Sequence, residues 1–294
     1  MMRGPGKAAA VVRTKDGLVT KDVPAPYPKE KHAVLGWVFI RGVCNFVQSM
    51  IIGTKMLFWS AEQIPLDDPS DTEGEKPSTL GKGALAVTGI LAVVLAIGMF
   101  TVLPTWLGGL LSPWIGSGFR RNLLETGLRL VILFFYMFLV SKTRDVKRTF
   151  SYHGAEHKSI ACYEARETLT VENVRRYSRF HPRCGTSFLL TVVVISMVFF
   201  LLISLPLQML PWQNIFVRVG ARLALLPFVV AISYEFNRLI GRTDNIVSRI
   251  VRSPGLWMQR MTTNEPDDEM LEVAIEALRR VMPEEAGTDE WGAE

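Results

Sequence analysis

The chain has 294 residues, of which 49% are hydrophobic and 21% charged, and a formal net charge of +5. So many charged residues exclude a protein of membrane spans and short loops alone, and about half of the chain should lie outside the bilayer. Three scattered cysteines are too few for a disulfide framework, which favours the reducing side of a membrane. The basic residues are not interleaved with aromatics, so we expect no nucleic-acid partner.

The first 63 residues predict a small hairpin followed by an amphipathic helix. Residues Thr14 to Gly17 have the composition of a tight turn between two short strands. Residues 33–63 are apolar, with polar side chains at helical spacing on one face: Arg41, Asn45, Gln48, Lys55 and Glu62. We expect this helix to anchor in the membrane interface, and packing of its polar stripe onto a cytosolic domain is the alternative.

Four later segments are candidates for membrane spans. Residues 84–103 and 186–205 are free of charge, and each is long enough for a helix that crosses about 30 Å of hydrocarbon. Residues 123–140 and 221–236 are also apolar but have charged residues near their ends. We expect Glu235 to face the protein interior and to pair with Arg238.

The distribution of basic residues decides between two spans and four. Lysine and arginine are dense in residues 1–83 and 142–185 but sparse in 104–119 and 206–217. Only four spans place both basic regions on one side, as the positive-inside rule requires. The sequence therefore predicts a mainly α, polytopic helical membrane protein with about four transmembrane helices, a cytosolic metal-type loop domain and a small N-terminal β hairpin.

This reading divides the chain into seven segments, with both termini in the cytosol. Residues Pro266 to Met282 predict a tail helix that docks on the cytosolic part through an apolar stripe of Met270, Ala274, Leu278 and Val281. The segments are 1–32 (N-terminal), 33–63 (amphipathic helix), 64–83 (flexible linker), 84–140 (first pair of spans), 141–185 (His/Glu/Cys loop), 186–238 (second pair of spans) and 239–294 (C-terminal helical tail).

A segment with the order H-x-x-E-H is the strongest chemical signal. On a helix, His153 and His157 stack one turn apart, so both imidazoles can reach one metal ion. Glu156 projects beside them, as a base that orients or deprotonates a water molecule. Inverzincin metallopeptidases have the same order of residues. Glu164 lies on the same face and is a candidate third ligand, whereas Cys162 faces another side and is expected to be a small core residue.

A second half-site precedes the third predicted span. His181 and Cys184 are three residues apart, within a turn bracketed by Pro182 and Gly185. Together with His153 and His157 they offer a tetrahedral His3Cys set, for which zinc is the expected metal and another divalent metal the alternative. The opposing interpretation is that these histidines hydrogen-bond within a polar core and bind no metal.

The motifs that carry these residues resemble the bacterial YqhQ-like proteins over nearly the whole chain. They include "IIGTKMLFWSAEQ", "YHGAEHKSIACYEA", "RFHPRCGTSFLL" and "PGLWMQRMTTNEPDDEMLEVAIEAL". The resemblance implies a predicted metal-dependent membrane enzyme of unknown function in a bacterial cytoplasmic membrane. It also implies a metal role for the matching residues His153, Glu156, His157, His181 and Cys184.

Three classes of function remain open. In a metal-dependent hydrolase, His153 and His157 with His181 or Glu164 are ligands, and Glu156 is the general base. In a non-catalytic scaffold, His153, His157, His181 and Cys184 close a structural zinc site, and membrane or cytosolic proteins are the partners. A metal transporter is disfavoured because the two uncharged spans contain no ligand residues.

Overall fold

The computed structural model is mainly helical, with one small sheet at the N-terminus. It describes residues 1–63, 82–116, 119–182, 184–204, 214–243 and 245–283. The predicted linker lies almost wholly outside these residues. The helices are α1 (Pro28–Lys31), α2 (Ile40–Gln63), α3 (Lys82–Ile97), α4 (Leu103–Ile115), α5 (Phe119–Val140), α6 (Arg144–Glu164), α7 (Val171–Arg175), α8 (Gly185–Ser204), α9 (Ile215–Gly241), α10 (Ile246–Thr262) and α11 (Asp268–Val281).

The N-terminal sheet has three antiparallel strands in the order β1 (Met2–Arg3), β2 (Gly6–Thr14) and β3 (Gly17–Ala25). Thr14 pairs with Gly17 across the predicted turn, which confirms the hairpin and adds a third, very short strand. Successive residues of β2 point to opposite faces. Ala9 therefore packs in the core with α11, and Ala10 packs against α2.

Three helices in the described part of the chain are long and apolar enough to cross a membrane: Val87–Ile115, Phe119–Val140 and Val219–Gly241. They suggest association with a membrane. A shorter apolar stretch, Phe188–Phe200, lies in α8 and packs between α5 and α9. The four predicted spans thus correspond to three long apolar helices and one shorter described stretch.

The first of these helices is longer than the sequence predicted. Residues 104–119 were expected to connect two spans, but helix continues through a π segment, Gly98–Val102, and then through α4 to Ile115. Pro104 does not break it, because proline is tolerated in the first turn of a helix and α4 restarts there after the π segment.

The helices give the bundle two distinct ends. One end, called the site end because it adjoins the His/Glu/Cys loop of residues 141–185, is where α5 finishes at Val140 and α8 begins at Gly185. At the far end, α4 finishes at Ile115, α5 begins at Phe119 and α9 begins at Ile215. The chain leaves the bundle at the site end to form α6 and α7, which pack with α11 and the sheet.

The predicted C-terminal helix is confirmed as α11. It begins at Asp268, after Pro266, and the side chain of Asp267 caps it by accepting from the backbone N–H of Met270. Its apolar face packs on α6 and β2. Cys162 is fully buried in the same core, as its position on α6 predicted.

Arg41 and Asn45 of the predicted polar stripe pack onto α9, a membrane-type helix, and not onto the cytosolic domain that the alternative expectation named, whereas Lys55 and Glu62 are exposed. Arg41 binds both carboxylate oxygens of Glu235 at 2.7 and 2.5 Å, and the predicted partner Arg238 adds an electrostatic attraction to the same carboxylate. Asn45 Nδ2 donates to the Tyr234 hydroxyl at 3.1 Å. Arg41 was missed because it is far from Glu235 in the sequence, whereas Arg238 is one turn away on the same helix.

Candidate metal centre

Helix α6 places two histidines side by side at the site end of the bundle. His153 and His157 are one turn apart, and their ring centroids are separated by 4.3 Å. His157 is buried and His153 is partly buried. The predicted helical stacking of the two imidazoles is therefore present.

Both imidazoles are oriented by backbone carbonyls. His153 Nδ1 lies 2.8 Å from the Thr262 carbonyl oxygen, and His157 Nδ1 lies 2.6 Å from that of Arg179. A carbonyl can only accept, so each Nδ1 carries the proton and donates. In its neutral form each ring presents Nε2 as its lone-pair nitrogen, and this kind of outer hydrogen bond is typical of histidines that ligate metals. When a ring is protonated, Nε2 also carries a proton and can donate to the Cys184 sulfur.

The third group of the cluster is the thiol of Cys184, which lies immediately before α8. Its Sγ atom is 3.2 Å from His153 Nε2. One ligand atom from each of His153, His157 and Cys184 lies within 4.8 Å of the other two. The structure thus joins the two predicted half-sites into one group of two nitrogens and one sulfur.

The negative charge of the Cys184 thiolate and the positive charge of a protonated imidazole stabilise each other. Burial by itself would raise the pKa of the Cys184 thiol, but hydrogen bonds from His153 and His157 outweigh burial and lower the pKa to about 5. Burial opposes the charged form of His153, yet the bond to Cys184 raises the pKa of that imidazole. Cys184 is therefore set up as a thiolate, which is the form that binds metals.

Gly154 explains how the Thr262 carbonyl comes so close to α6. A Cβ atom at Gly154 would lie only 2.1 Å from the carbonyl oxygen of Asn264. Because glycine has no Cβ, the segment after α10 can lie against the helix, where the Asn264 N–H donates to the Phe150 carbonyl at 2.9 Å. This contact fixes the segment that orients His153.

His181 and Glu164 form a separate pair beside the cluster. His181 Nε2 is 3.2 Å from Glu164 Oε2, and its ring centroid is 5.8 Å from that of His157. The buried Gln259 side chain holds the backbone of His181 through two bonds of 2.8 Å. The sequence offered Glu164 as a third ligand, but in the structure Cys184 takes that place and Glu164 faces His181.

Glu156 lies outside the three-residue group. It is partly buried on α6, and its negative charge contributes to the raised pKa of His153. Glu156 is therefore close enough to His153 to act on its charge without being one of the three grouped residues.

Sequence reasoning missed the groups that hold the cluster in place. They are the carbonyls of Thr262 and Arg179 and the side chain of Gln259. Backbone carbonyls carry no residue signature, and α10 was not predicted as an element. Gly154, inside the histidine motif, was an available signal of close backbone approach.

The fold and the cluster define a mainly helical protein with membrane-type helices and a His/His/Cys group at one end of its bundle. Residues 37–284 match the family described as "Protein of unknown function (DUF1385)", and the chain belongs to that family. It is 34% identical over 293 residues to "Uncharacterized protein YqhQ" of Bacillus subtilis (strain 168), covering 97% of this chain and 90% of the relative. No solved structure matches. These matches confirm the YqhQ-like resemblance.

Proposed function

We propose that His153, His157 and Cys184 bind one zinc ion at the cytosolic face of a bacterial membrane, in a centre that serves hydrolysis. One observation carries this proposal. Both imidazoles donate Nδ1–H to a backbone carbonyl, which leaves Nε2 of each ring for the space that they share with the Cys184 sulfur.

The donor set fits zinc in an open site. Two imidazole nitrogens and one thiolate are ligands that zinc prefers. The sulfur disfavours metals that prefer oxygen ligands, such as magnesium. Three protein ligands leave a fourth position, which is the pattern of catalytic zinc sites. Another divalent metal of similar softness is the alternative occupant.

In a hydrolase, each residue around the cluster would have a different role. A bound zinc ion would supply Lewis acidity to polarise a substrate carbonyl or phosphoryl oxygen. Glu156, beside His153 but outside the ligand group, accepts and returns a proton. The carbonyls of Thr262 and Arg179 fix the orientation of the two imidazole rings.

A closed structural site is the second candidate, because His181 is buried and its ring lies 5.8 Å from that of His157. If His181 completed a four-ligand set, the centre would fasten α6 to the start of α8 in a scaffold that binds membrane or cytosolic proteins. The open version is favoured because, among the described residues, only His153, His157 and Cys184 have ligand atoms that all lie within 4.8 Å of one another, and His181 is outside that group.

The first test is metal analysis of the purified full-length protein. We expect about one zinc ion per chain in the wild type and none in the double variant His153→Ala/His157→Ala. His32→Ala is the matched control, since His32 is exposed and far from the cluster in sequence, and it should retain the metal. Unchanged zinc in the double variant would refute the proposal.

Two further variants separate the open site from the closed one. His181→Ala should keep zinc if the site has three protein ligands, and should lose most of it if His181 is the fourth. Glu156→Gln should keep zinc in either case and lose only the function, because Glu156 is not a ligand. Loss of zinc from Glu156→Gln would contradict its assignment as a proton acceptor.

A further inference from the structure

The apolar segments of the chain hold a strong excess of positive charge. Residues 84–141 and 186–234, which stop short of Glu235 and Arg238 at the opposite end of α9, contain a single acidic residue, Glu125. The same segments contain five arginines: Arg120, Arg121, Arg129, Arg218 and Arg222. Ionisable residues among membrane-type helices are costly, so they mark functional sites more often than elsewhere.

The structure brings three of these arginines to the one carboxylate. Arg121, Glu125 and Arg129 follow one face of α5 at intervals of four residues. Arg121 Nε donates to Glu125 Oε1 at 2.9 Å, and Arg129 Nη2 lies 4.0 Å from Glu125 Oε2. Arg222 of α9 binds Oε2 of the same carboxylate.

The neighbouring helix is shaped around this arginine cluster, defined as Arg121, Arg129, Arg222 and Glu125. A Cβ atom at Gly108 of α4 would lie 2.4 Å from Cγ of Glu125, so only glycine fits there. The Thr105 hydroxyl accepts from Arg222. The carbonyl of Phe100, in the π segment, accepts from Arg129 Nε at 3.2 Å.

The cluster is buried and its charges do not balance. Glu125 is fully buried, and Arg121 and Arg222 are each 8% exposed. Guanidinium groups stay protonated, so among the residues that the structure describes the three of them with one carboxylate carry a surplus of two positive charges. Charges removed from water need counter-charges, and a bound anion would supply them.

The position of the cluster indicates how an anion would reach it. Arg121 is near the start of α5, at the far end of the bundle, and Arg129 lies about 12 Å deeper along the helix, at 1.5 Å per residue. The charged groups therefore extend from the far end into the bundle. Arginine forks bind carboxylate and phosphate oxygens in the same bidentate geometry, but a phosphate group has at least three acceptor oxygens for the three guanidiniums, whereas a carboxylate has two.

We propose that Arg121, Arg129 and Arg222 form a binding site for a phosphate group that enters from the far end of the bundle. The phosphate belongs either to the head group of an anionic lipid or to a free phosphate ion. Glu125 holds the three side chains in place and leaves their surplus charge for the ligand. This site is independent of the proposed zinc centre, which lies at the opposite end.

The test uses the purified full-length protein in an uncharged detergent. Phosphatidylglycerol, inorganic phosphate and diacylglycerol, which lacks phosphate, are titrated separately. Bound lipid is counted by native mass spectrometry and bound phosphate by equilibrium dialysis. We expect saturable binding of about one phosphate-bearing ligand per chain, none of diacylglycerol, and affinity weakened about tenfold or more in Arg121→Gln.

Arg120→Gln is the matched control, because Arg120 is the adjacent residue of α5 but its side chain is exposed. It should bind as the wild type does. Saturable binding of phosphatidylglycerol alone assigns the site to a lipid head group, and binding of both ligands shows that phosphate suffices.

Two results would overturn the proposal. One is the absence of saturable binding of either ligand to the wild type, which needs no variant to fold. The other is equal weakening in Arg120→Gln and Arg121→Gln, which would show general surface attraction. If Arg121→Gln does not fold, Arg222→Lys replaces it, since lysine keeps the charge but loses the bidentate fork.

Discussion

The two ends of the bundle bury polar groups in opposite ways. At the site end, an imidazole and a thiolate offset each other's charge, and backbone carbonyls take up the remaining imidazole protons. At the far end, three guanidiniums share one carboxylate. Burial alone therefore does not identify the ligand. The first group offers lone pairs to a cation, whereas the second offers surplus positive charge to an anion.

The two clusters also differ in the elements that build them. The His–Cys group, His153, His157 and Cys184, depends on segments outside the apolar helices, including the turn before α8 and the end of α10. The arginine cluster lies wholly on two membrane-type helices, α5 and α9, and is contacted by the π segment inside a third. Changes at the site end should therefore alter metal content, and changes at the far end should alter the stability of the bundle.

The largest expected effect concerns the acid strength of Cys184 in metal-free protein. Its thiol should titrate near pH 5, against an ordinary value of 9.0, because two imidazoles donate to the sulfur. A chelated sample is titrated while ultraviolet thiolate absorbance is recorded, with Cys184→Ser as the blank. A midpoint near 9 would contradict the balanced charges of the His–Cys group.

The same shift predicts the pH dependence of stability in the metal-free protein. A depressed thiol pKa stabilises the fold fully above pH 9.0, and this contribution disappears as the pH falls towards 5. The raised pKa of His153 acts in the other direction, since its contribution is complete below pH 6.5 and is lost at higher pH. His153→Ala should move the thiol midpoint upward.

The next effect is the loss of the single carboxylate at the far end. Glu125→Ala leaves three buried guanidiniums without it, and we expect the free energy of unfolding to fall by about 3–5 kcal/mol. Unfolding is followed by circular dichroism in mixed detergent micelles. Arg120→Ala, at an exposed neighbour, should change stability by less than about 0.5 kcal/mol. Equal effects of the two variants would show that Glu125 does not stabilise the arginine cluster.

A smaller loss of stability is expected when a methyl group is added to Gly154 at the site end. Gly154→Ala would place Cβ against the Asn264 carbonyl, and relief of the clash should cost about 1–3 kcal/mol and reduce zinc content. Gly127→Ala in α5 is the control, because nothing lies within 4 Å of its Cβ position. Unfolding and metal content are measured on both variants. Full zinc content in Gly154→Ala would show that the segment after α10 does not position His153.

The sequence predicted the site end better than the far end. The H-x-x-E-H order and the nearby His181 and Cys184 named all three members of the His–Cys group, because helical spacing is visible in a sequence. At the far end the pairings of Glu125 with Arg121 and Arg129 could be foreseen, since all three lie on α5 at intervals of four residues. Arg222 belongs to another helix, and a contact between helices has no local pattern.

Membrane-type helices were predicted well in position but not in extent. Hydropathy located all four segments, yet the continuation of the first helix to Ile115 depends on a π segment that composition does not reveal. The choice of Arg41 as the partner of Glu235 likewise depends on how α2 packs against α9. The first of these differences is a local continuation of one helix, and the second is a contact between distant parts of the chain.

The smallest expected effect concerns the ion pair of Arg41 and Glu235, which is less buried than the arginine cluster and more buried than the surface pairs. Arg41 and Glu235 are about one-fifth to one-quarter exposed and join α2 to α9 near the site end. A double-mutant cycle with Arg41→Ala and Glu235→Ala should give a coupling energy of about 1 kcal/mol, because partial exposure weakens the attraction.

The exposed pair of Arg175 and Asp268 is the reference for that cycle. Its two side chains are 59% and 57% exposed, so we expect its coupling energy to be smaller than that of Arg41 with Glu235. Added salt should reduce the coupling of the exposed pair further, and that of Arg41 with Glu235 less, since buried pairs are screened less. Equal couplings with equal salt dependence would contradict the ranking by burial on which the comparison of the two ends rests.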